Sequence, residues 1–447
     1  MKGIRYIFLI ITILGVQGTL LSQDFTRLSE RSIMGTARYV GMSGAMSAIG
    51  GDPSSTHDNA AGLGLYRRAE VLLTLGCVHD KAWQVNGKYT DTRTVGMLPQ
   101  ASVVVSIASN NSSDEGVQFN NVMFSYRRLH SYNRTMYGTS DRDRSLGWML
   151  NNYSCPLADI NYYCADWLNK TNELLLRESG MVNEFSFKWA INISNRWFVG
   201  AGLDIQSYSL SSVAEFMETF GYQNPQGKDY SNYDYSTLLF RGAGCSFSAG
   251  LIYRPTGWMR LGFGIQSPSV GAYRGYSTGY LRLQTDTLVI ASAKDCTWPE
   301  KSFHMPLHTS TSAAFQIGAY ALIALQYDYY HARHMDDRHS LRAGVEVIPV
   351  MGMYLNAGYA YESTFKNTNK VVPMDQNFNR LDTYFINQKG TQYASFAIGY
   401  RGTNMIVQAA YQYRWQRLNL FAHEAAAPYD LRADTHRIVV TIGWHQN

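Results

Sequence analysis

Hydrophobic and polar residues alternate with a period of two along much of the chain, the pattern of strands with one apolar face. Segment 182–193 is the clearest. Asn183, Phe185, Phe187, Trp189, Ile191 and Ile193 fall on one face; Val182, Glu184, Ser186, Lys188, Ala190 and Asn192 fall on the other. Asn195-Arg196 reads as a tight turn. Segment 197–207 then sets Trp197, Val199, Ala201, Leu203 and Ile205 against Gly200, Gly202, Asp204 and Gln206. Segments 404–416 and 435–445 repeat the pattern, with Met405, Val407, Tyr411, Ile438, Val440 and Ile442 on their apolar faces. Aromatics gather at the strand ends, among them Trp415 and Trp444.

The pattern predicts 14 strands, near 69–80, 98–109, 116–130, 181–194, 195–209, 241–254, 257–267, 307–317, 318–332, 340–348, 351–363, 391–402, 404–418 and 433–445. Short connections (195–196, 255–257, 349–350, 402–403) alternate with long ones (131–180, 210–240, 268–306, 364–390, 419–432). A soluble sandwich also alternates. Short turns on one side and long loops on the other are the mark of an outer-membrane barrel, and an even count returns both ends to the periplasmic side. The predicted fold is all-β: a transmembrane antiparallel β-barrel of 14 strands.

Composition agrees. Of 447 residues only 16% are charged and 13% are aromatic, with 32 Tyr and 38 Gly, against about 25% charged in a soluble domain. Past residue 20 no apolar run is long enough for a membrane helix. At the start, Lys2 and Arg5 precede the apolar run 6–16, with small residues at Gly18 and Ser22. This reads as a signal peptide cut after Ser22, placing the mature protein in the outer membrane of a Gram-negative cell. Losing Lys2 and Arg5 takes the net charge from +5 to +3, too weak a balance to imply nucleic acid. Cys77, Cys155, Cys164, Cys245 and Cys296 form no disulfide framework and no CxxC pair. Cys155 and Cys164 share one loop, whereas Cys77 and Cys245 fall on lipid-facing positions.

Residues 23–68 do not alternate. They are rich in small residues, with Gly41, Gly44, Gly50, Gly51, Gly62 and Gly64. Small residues permit close backbone approach, which suits an N-terminal hatch inside the lumen. The division expected is signal peptide 1–22, hatch 23–68 and barrel 69–447.

Within the hatch the run Ala37-Arg38-Tyr39-Val40-Gly41-Met42-Ser43-Gly44-Ala45 is followed by Ala48-Ile49-Gly50-Gly51-Asp52 and Asn59-Ala60-Ala61-Gly62-Leu63. This resembles the hatch of the FadL/TodX family of transporters for long-chain fatty acids and aromatic hydrocarbons, and looks most like the Bacteroidetes branch. Members usually have Asn-Pro-Ala-Gly where this chain has Asn59-Ala60-Ala61-Gly62. The run 261–268 ending in Ser267-Pro268, the run 342–346 and the terminal strand 437–444 are similar too. The C-terminal residue, Asn447, departs from the usual Phe.

The resemblance implies a 14-stranded barrel that takes up hydrophobic small molecules by passive diffusion past a hatch. Arg38, Asn59, Ala60, Ala61 and Gly62 would form the gating part. It also implies an admission groove in the loops after strands 5 and 7, where Phe216, Met217, Phe220, Tyr276, Tyr280 and Leu281 would meet the ligand. From alternation alone, Lys188, Asp204, Asp328, Arg342, Glu346 and Arg414 face the lumen, where they pair, hold a plug or read a carboxylate. The expected partners are a hydrophobic ligand, outer-membrane lipid, lipopolysaccharide and the barrel-assembly machinery, with no nucleic acid, cofactor or metal. His331, His334 and His339 sit with Asp336 and Asp337 in an outer loop and raise the alternative of a haemin receptor. A barrel serving type IX secretion is a second alternative, and without a GxSxG motif an enzyme is not expected.

Overall fold

The computed structural model describes residues 26–446 apart from 86–89, 110–114, 141–167, 222–228, 285–288, 333–336, 365–383 and 424–425. Among these the chain forms one closed antiparallel barrel. Its strands are β1 (Glu70–Gln84), β2 (Thr90–Ala108), β3 (Val117–Ser131, continued by Arg134–Ser140), β4 (Leu168–Ile193), β5 (Trp197–Gly221), β6 (Asp229–Thr256) and β7 (Met259–Gln266, continued by Val270–Gln284). There follow β8 (Val289–His304, continued by Leu307–Ile317), β9 (Ala321–His331), β10 (Arg338–Val350), β11 (Met353–Glu362), β12 (Phe385–Arg401), β13 (Met405–Phe421) and β14 (Tyr429–His445). Each strand pairs with the next. β14 closes on β1 from Glu70↔His445 to Gln84↔Leu431, so no edge is left open in the membrane.

Alternation sets the two faces. On β4, Phe185, Phe187 and Trp189 are exposed outward, while Glu184, Ser186 and Lys188 are buried inside. The outer wall continues with Leu73, Phe124, Ile205, Phe247, Leu341 and Ile442. Around the short-turn rim stand exposed Trp197, Trp258, Tyr320, Tyr400 and Trp444. A second girdle carries its own polar partners: Tyr327 and Tyr411 each meet a histidine at 2.7 Å, His339 and His436, and Tyr413 donates to Asp434 at 2.8 Å. On β13 the belt from Met405 to Tyr413 covers roughly 20–25 Å, the height of an outer-membrane apolar band. This is an outer-membrane β-barrel. Among the described residues no helix is long and apolar enough to cross a membrane.

The short turns are built for their hairpins. Ser194 and Asn195 both adopt positive φ (54° and 52°), the geometry whose twist matches flanking strands. On the other side the structure corrects the sequence reading. Within positions 210–240 and 268–306 the described residues are not open loops: β5 and β6 stay paired out to Gly221↔Asp229, and β7 and β8 out to Gln284↔Val289, far past the outer girdle. Weak alternation in these polar, Tyr-rich stretches hid them. Cys77 and Cys245 are exposed on the outer face as free thiols; Cys155 and Cys164 lie outside the described residues.

Candidate functional site

The segment from Arg27 to Tyr66 is almost wholly buried and threads the lumen. Its first residues lie near the outer end, where Arg27 pairs with Glu178, far from the short turn of β4. Its remainder fills the periplasmic half before β1 begins. A short helix, α1 (Ala37–Gly41), starts where the Thr36 side chain accepts from Tyr39 N. Asp52 ties that cap to the next turn, with Oδ2 accepting from Thr36 Oγ1 at 2.7 Å and Oδ1 from Ser54 N at 2.8 Å. The reversal between them passes through Gly50 and Gly51 at φ 60° and 63°, conformations that favour glycine.

Inward polar side chains pin this plug on all sides. Arg38 grips Glu346 of β10 with two parallel bonds, 2.6 and 2.7 Å. Arg342 binds Asp58 of the plug at 3.3 Å and Asp328 of β9 at 3.1 Å, and reaches Glu362 at 3.5 Å. Lys188 donates to the Thr56 carbonyl at 2.8 Å and pairs with Asp204 at 3.2 Å. Arg127 donates to Ser54 O and lies over the Tyr39 ring. Gln408, Thr441, Gln326 and Arg437 bond the plug backbone at Arg38, Ala37, Ser47 and Ile33. Burial and the neighbouring Asp58 hold the Tyr39 hydroxyl protonated, so it donates to that carboxylate at 2.7 Å. Burial alone would raise Asp58, but Arg342, with His57, His308 and Arg127, holds it at about 2.

Asn59 caps the 3-10 turn Ala60–Leu65: Oδ1 accepts from Ala61 N at 3.0 Å, and Nδ2 donates to Ser47 O and, across the gap, to Leu251 O of β6. Ala60 holds the first helical position, where proline fits without loss of a bond. Gly62 does not face the wall. A Cβ there meets Ser55 and Gly50 of the plug itself, at 3.1 and 3.3 Å. The close approach comes from glycines on the barrel. Gly200, Gly250 and Gly264 are cross-strand partners on β5, β6 and β7, and a Cβ on any of them would overlap residues 58–61. Gly344 and Gly358, paired on β10 and β11, do the same for Met42.

The outer half of the lumen is different. Leu28 is fully buried among Leu129, Tyr132, Val182, Tyr208, Leu210, Phe240, Tyr273, Phe303 and Met305. Phe240 stacks on Tyr273 at 4.6 Å, and Tyr208 meets Phe303 edge-on at 5.2 Å. The break between the two parts of β3 turns Tyr132 inward, where its hydroxyl donates to Arg27 O at 2.8 Å. Beside Leu28, Glu178 also binds Arg134, and Glu30 faces His130 at 3.1 Å. A small polar cavity of about 30 Å³, room for one water, adjoins Glu30, Arg338, Glu362 and Arg414.

The expected lumen residues are therefore inside, and Lys188, Arg342 and Glu346 touch the plug. Asp204 and Asp328 support those cations. Arg414 is half-buried and donates to Gln416 at 2.9 Å. The expected ligand-contact residues do not form one loop groove. Phe216 is buried on the inner face of β5 against His423, and Met217 is exposed on the opposite face. Tyr276 is exposed and Tyr280 half-buried on β7. The side chains of Phe220 and Leu281 lie outside the described residues, as do His334 and Asp336. Exposed His331 ends β9 and lies 2.8 Å from half-buried Asp337. Sequence reasoning missed Tyr39, Asp58, His308, Glu362 and the wall glycines. The glycines sat visibly on inward strand positions, but their alignment needs the register between strands.

No family profile matches the sequence, and no curated protein does. Solved structures do match. A FadL homologue of Pseudomonas aeruginosa is 13% identical, with 93% of this chain and 98% of that chain covered and a TM-score of 0.56. The Pseudomonas putida toluene transporter TodX is 13% identical, with 92% and 99% covered and a TM-score of 0.53. A TodX deltaS2S3 mutant, a monoaromatic hydrocarbon channel, gives 12%, 92% and 99%, and 0.55. At these identities the likeness is one of fold, and the chain has the fold of the FadL/TodX outer-membrane channels.

Proposed function

We propose that this barrel admits hydrophobic small molecules, of the fatty-acid or aromatic-hydrocarbon class, across the outer membrane by passive diffusion, and that residues 23–68 are the hatch that gates them. The observation that carries this reading is the apolar seat around Leu28. Aqueous pores have polar interiors, whereas this lumen presents nine buried apolar and aromatic residues around Leu28 in its outer half. Leu28 fills the seat as an apolar solute would, so a solute competes with the protein's own side chain. Beyond it lies the rest of the plug, held to the wall by ion pairs and by an apolar cluster that includes Met42, Met46 and Ile49. Names of the fold neighbours, a toluene transporter and a monoaromatic hydrocarbon channel, agree with this chemistry.

The test is uptake of a fluorescent long-chain fatty acid and of radiolabelled toluene by cells lacking other such channels. Wild-type protein should raise uptake over the empty host. Phe240→Asp, in a barrel shown to be assembled, should lower it several-fold. Uptake equal to the empty host with assembled wild-type protein contradicts the proposal. Copurified secreted proteins in place of apolar small molecules would favour a secretion role.

A further inference from the structure

We propose that His57, Asp58 and His308 form a site for a divalent transition metal that staples the plug to the barrel wall. His57 and Asp58 belong to the plug and His308 to β8. One ligand atom from each lies within 4.8 Å of the others. Zinc bonds to nitrogen and oxygen are about 2.0–2.2 Å, so the three close by roughly an ångström on binding.

Both imidazoles are already arranged as metal ligands commonly are. His57 Nδ1 lies 2.9 Å from Glu184 Oε1, and His308 Nε2 lies 3.2 Å from Asp328 Oδ1. A carboxylate on one ring nitrogen fixes the tautomer and turns the other nitrogen to a metal. The His308 ring is further held flat on Tyr330, with centroids 4.4 Å apart and planes 6° apart. The two imidazoles stack on one another at 6.2 Å. Asp58 Oδ2 accepts from Tyr39 and Arg342, so the proposal takes Oδ1 as the third ligand atom.

Two nitrogens and one oxygen suit zinc, cobalt, nickel or copper better than calcium or magnesium. Charge permits it. Asp58, Glu184, Asp204, Asp328 and Glu362 face Lys188, Arg338 and Arg342 in one network. Five carboxylates against these three cations leave two negative charges before a dication binds. Because the ligands come from both plug and wall, metal binds only the seated plug and so stabilises it by mass action. The site stands independently of what the barrel transports.

The experiment titrates Zn²⁺ into metal-stripped, full-length barrel in detergent by calorimetry, and follows Co²⁺ by its visible absorption. Variants are H57Q and H308Q, with H79Q and H331Q as surface controls. One Zn²⁺ per chain is expected, weakened at least about tenfold in H57Q and H308Q and unchanged in the controls. Zn²⁺ should also slow protease cleavage of the plug in wild type but not in H57Q. Should H308Q fail to show heat-modifiable mobility, H57Q decides, since it lies on the plug and not in the wall. Absence of saturable Zn²⁺ and Co²⁺ binding by assembled wild type, or equal binding by H57Q, overturns the site.

Discussion

The periplasmic and outer halves of the lumen hold the same segment by different mixtures of polar and apolar contact. Below, residues 36–66 are fixed by directional bonds (Arg38 on Glu346, Arg342 on Asp58, Lys188 on Thr56), by backbone laid against wall glycines, and by Met42, Met46 and Ile49 packed on the wall alanines Ala314, Ala324 and Ala360. Above, Leu28 rests in an apolar and aromatic cluster, beside the buried pairs Arg27–Glu178 and Glu30–His130. Directional bonds specify one position and cost much to break, whereas apolar contact is non-directional and scales with area. On the proposed function, a latch and an exchangeable seat sit in series on one chain.

The contrast is broken most severely at Arg342. Arg342→Met removes the cation that pairs with buried Asp58 and Asp328, at about 3–5 kcal/mol, while Glu362 keeps Arg338. The barrel should still assemble, while the plug becomes protease-sensitive and cells become permeable to large polar antibiotics. A protease-resistant plug in this variant would show that the network is dispensable.

A smaller effect separates wall from latch at adjacent residues. Phe187→Arg puts a charge in lipid at about 2–4 kcal/mol near the midplane and should lower the yield of heat-modifiable barrel. Lys188→Gln removes the tie to Thr56 and should loosen the plug while the barrel assembles normally. Equal loss of assembly in both would refute the register of β4.

Leu28→Ala probes the seat. It loses about 1.5–3 kcal/mol of apolar burial and should raise affinity for a fluorescent fatty acid, because the competing side chain is gone. Protection of residues 37–66 should be unaffected. Lower affinity would mean that Leu28 supports the site in place of filling it.

The mildest probe is pH. Burial would raise Glu30, but Arg134, His130 and Arg414 hold it below the usual carboxylate range. A depressed carboxylate contributes stability above its unfolded value, near 4.3, and loses it as pH falls through the lower folded value. The Glu30 contribution to protection of residues 27–33 from hydrogen exchange should therefore persist down to about pH 5 and be lost only below about 4, as read in a His130→Gln background that removes the titrating neighbour. Loss between pH 7 and 6 in that background would point to a different anchor.

Much of the wall was legible in the sequence, because lipid enforces strict alternation: residues such as Phe187 and Lys188 have no choice of face. Legibility ended where the membrane ends. The extensions of β5 to β8 face water outside, and nothing there compels an apolar row. The lumen was legible in part. Inward charges such as Arg342 and Glu346 could be named, but their partners Asp58 and Arg38 lie hundreds of residues away. Gly62 could be named as a hatch residue, but one glycine does not reveal which surface approaches it, and here it is the plug's own fold.

The central claim is that apolar solute passes only when the plug leaves its seat. Ser47 of the plug and Ser310 of β8 face each other with hydroxyl oxygens 3.2 Å apart. In a background with the native cysteines replaced, the pair S47C and S310C can tie plug to wall. Fatty-acid uptake should fall to the level of the empty host when the pair is oxidised and return on reduction. Equal uptake in the oxidised and reduced states, with the crosslink confirmed by mass, would contradict the account.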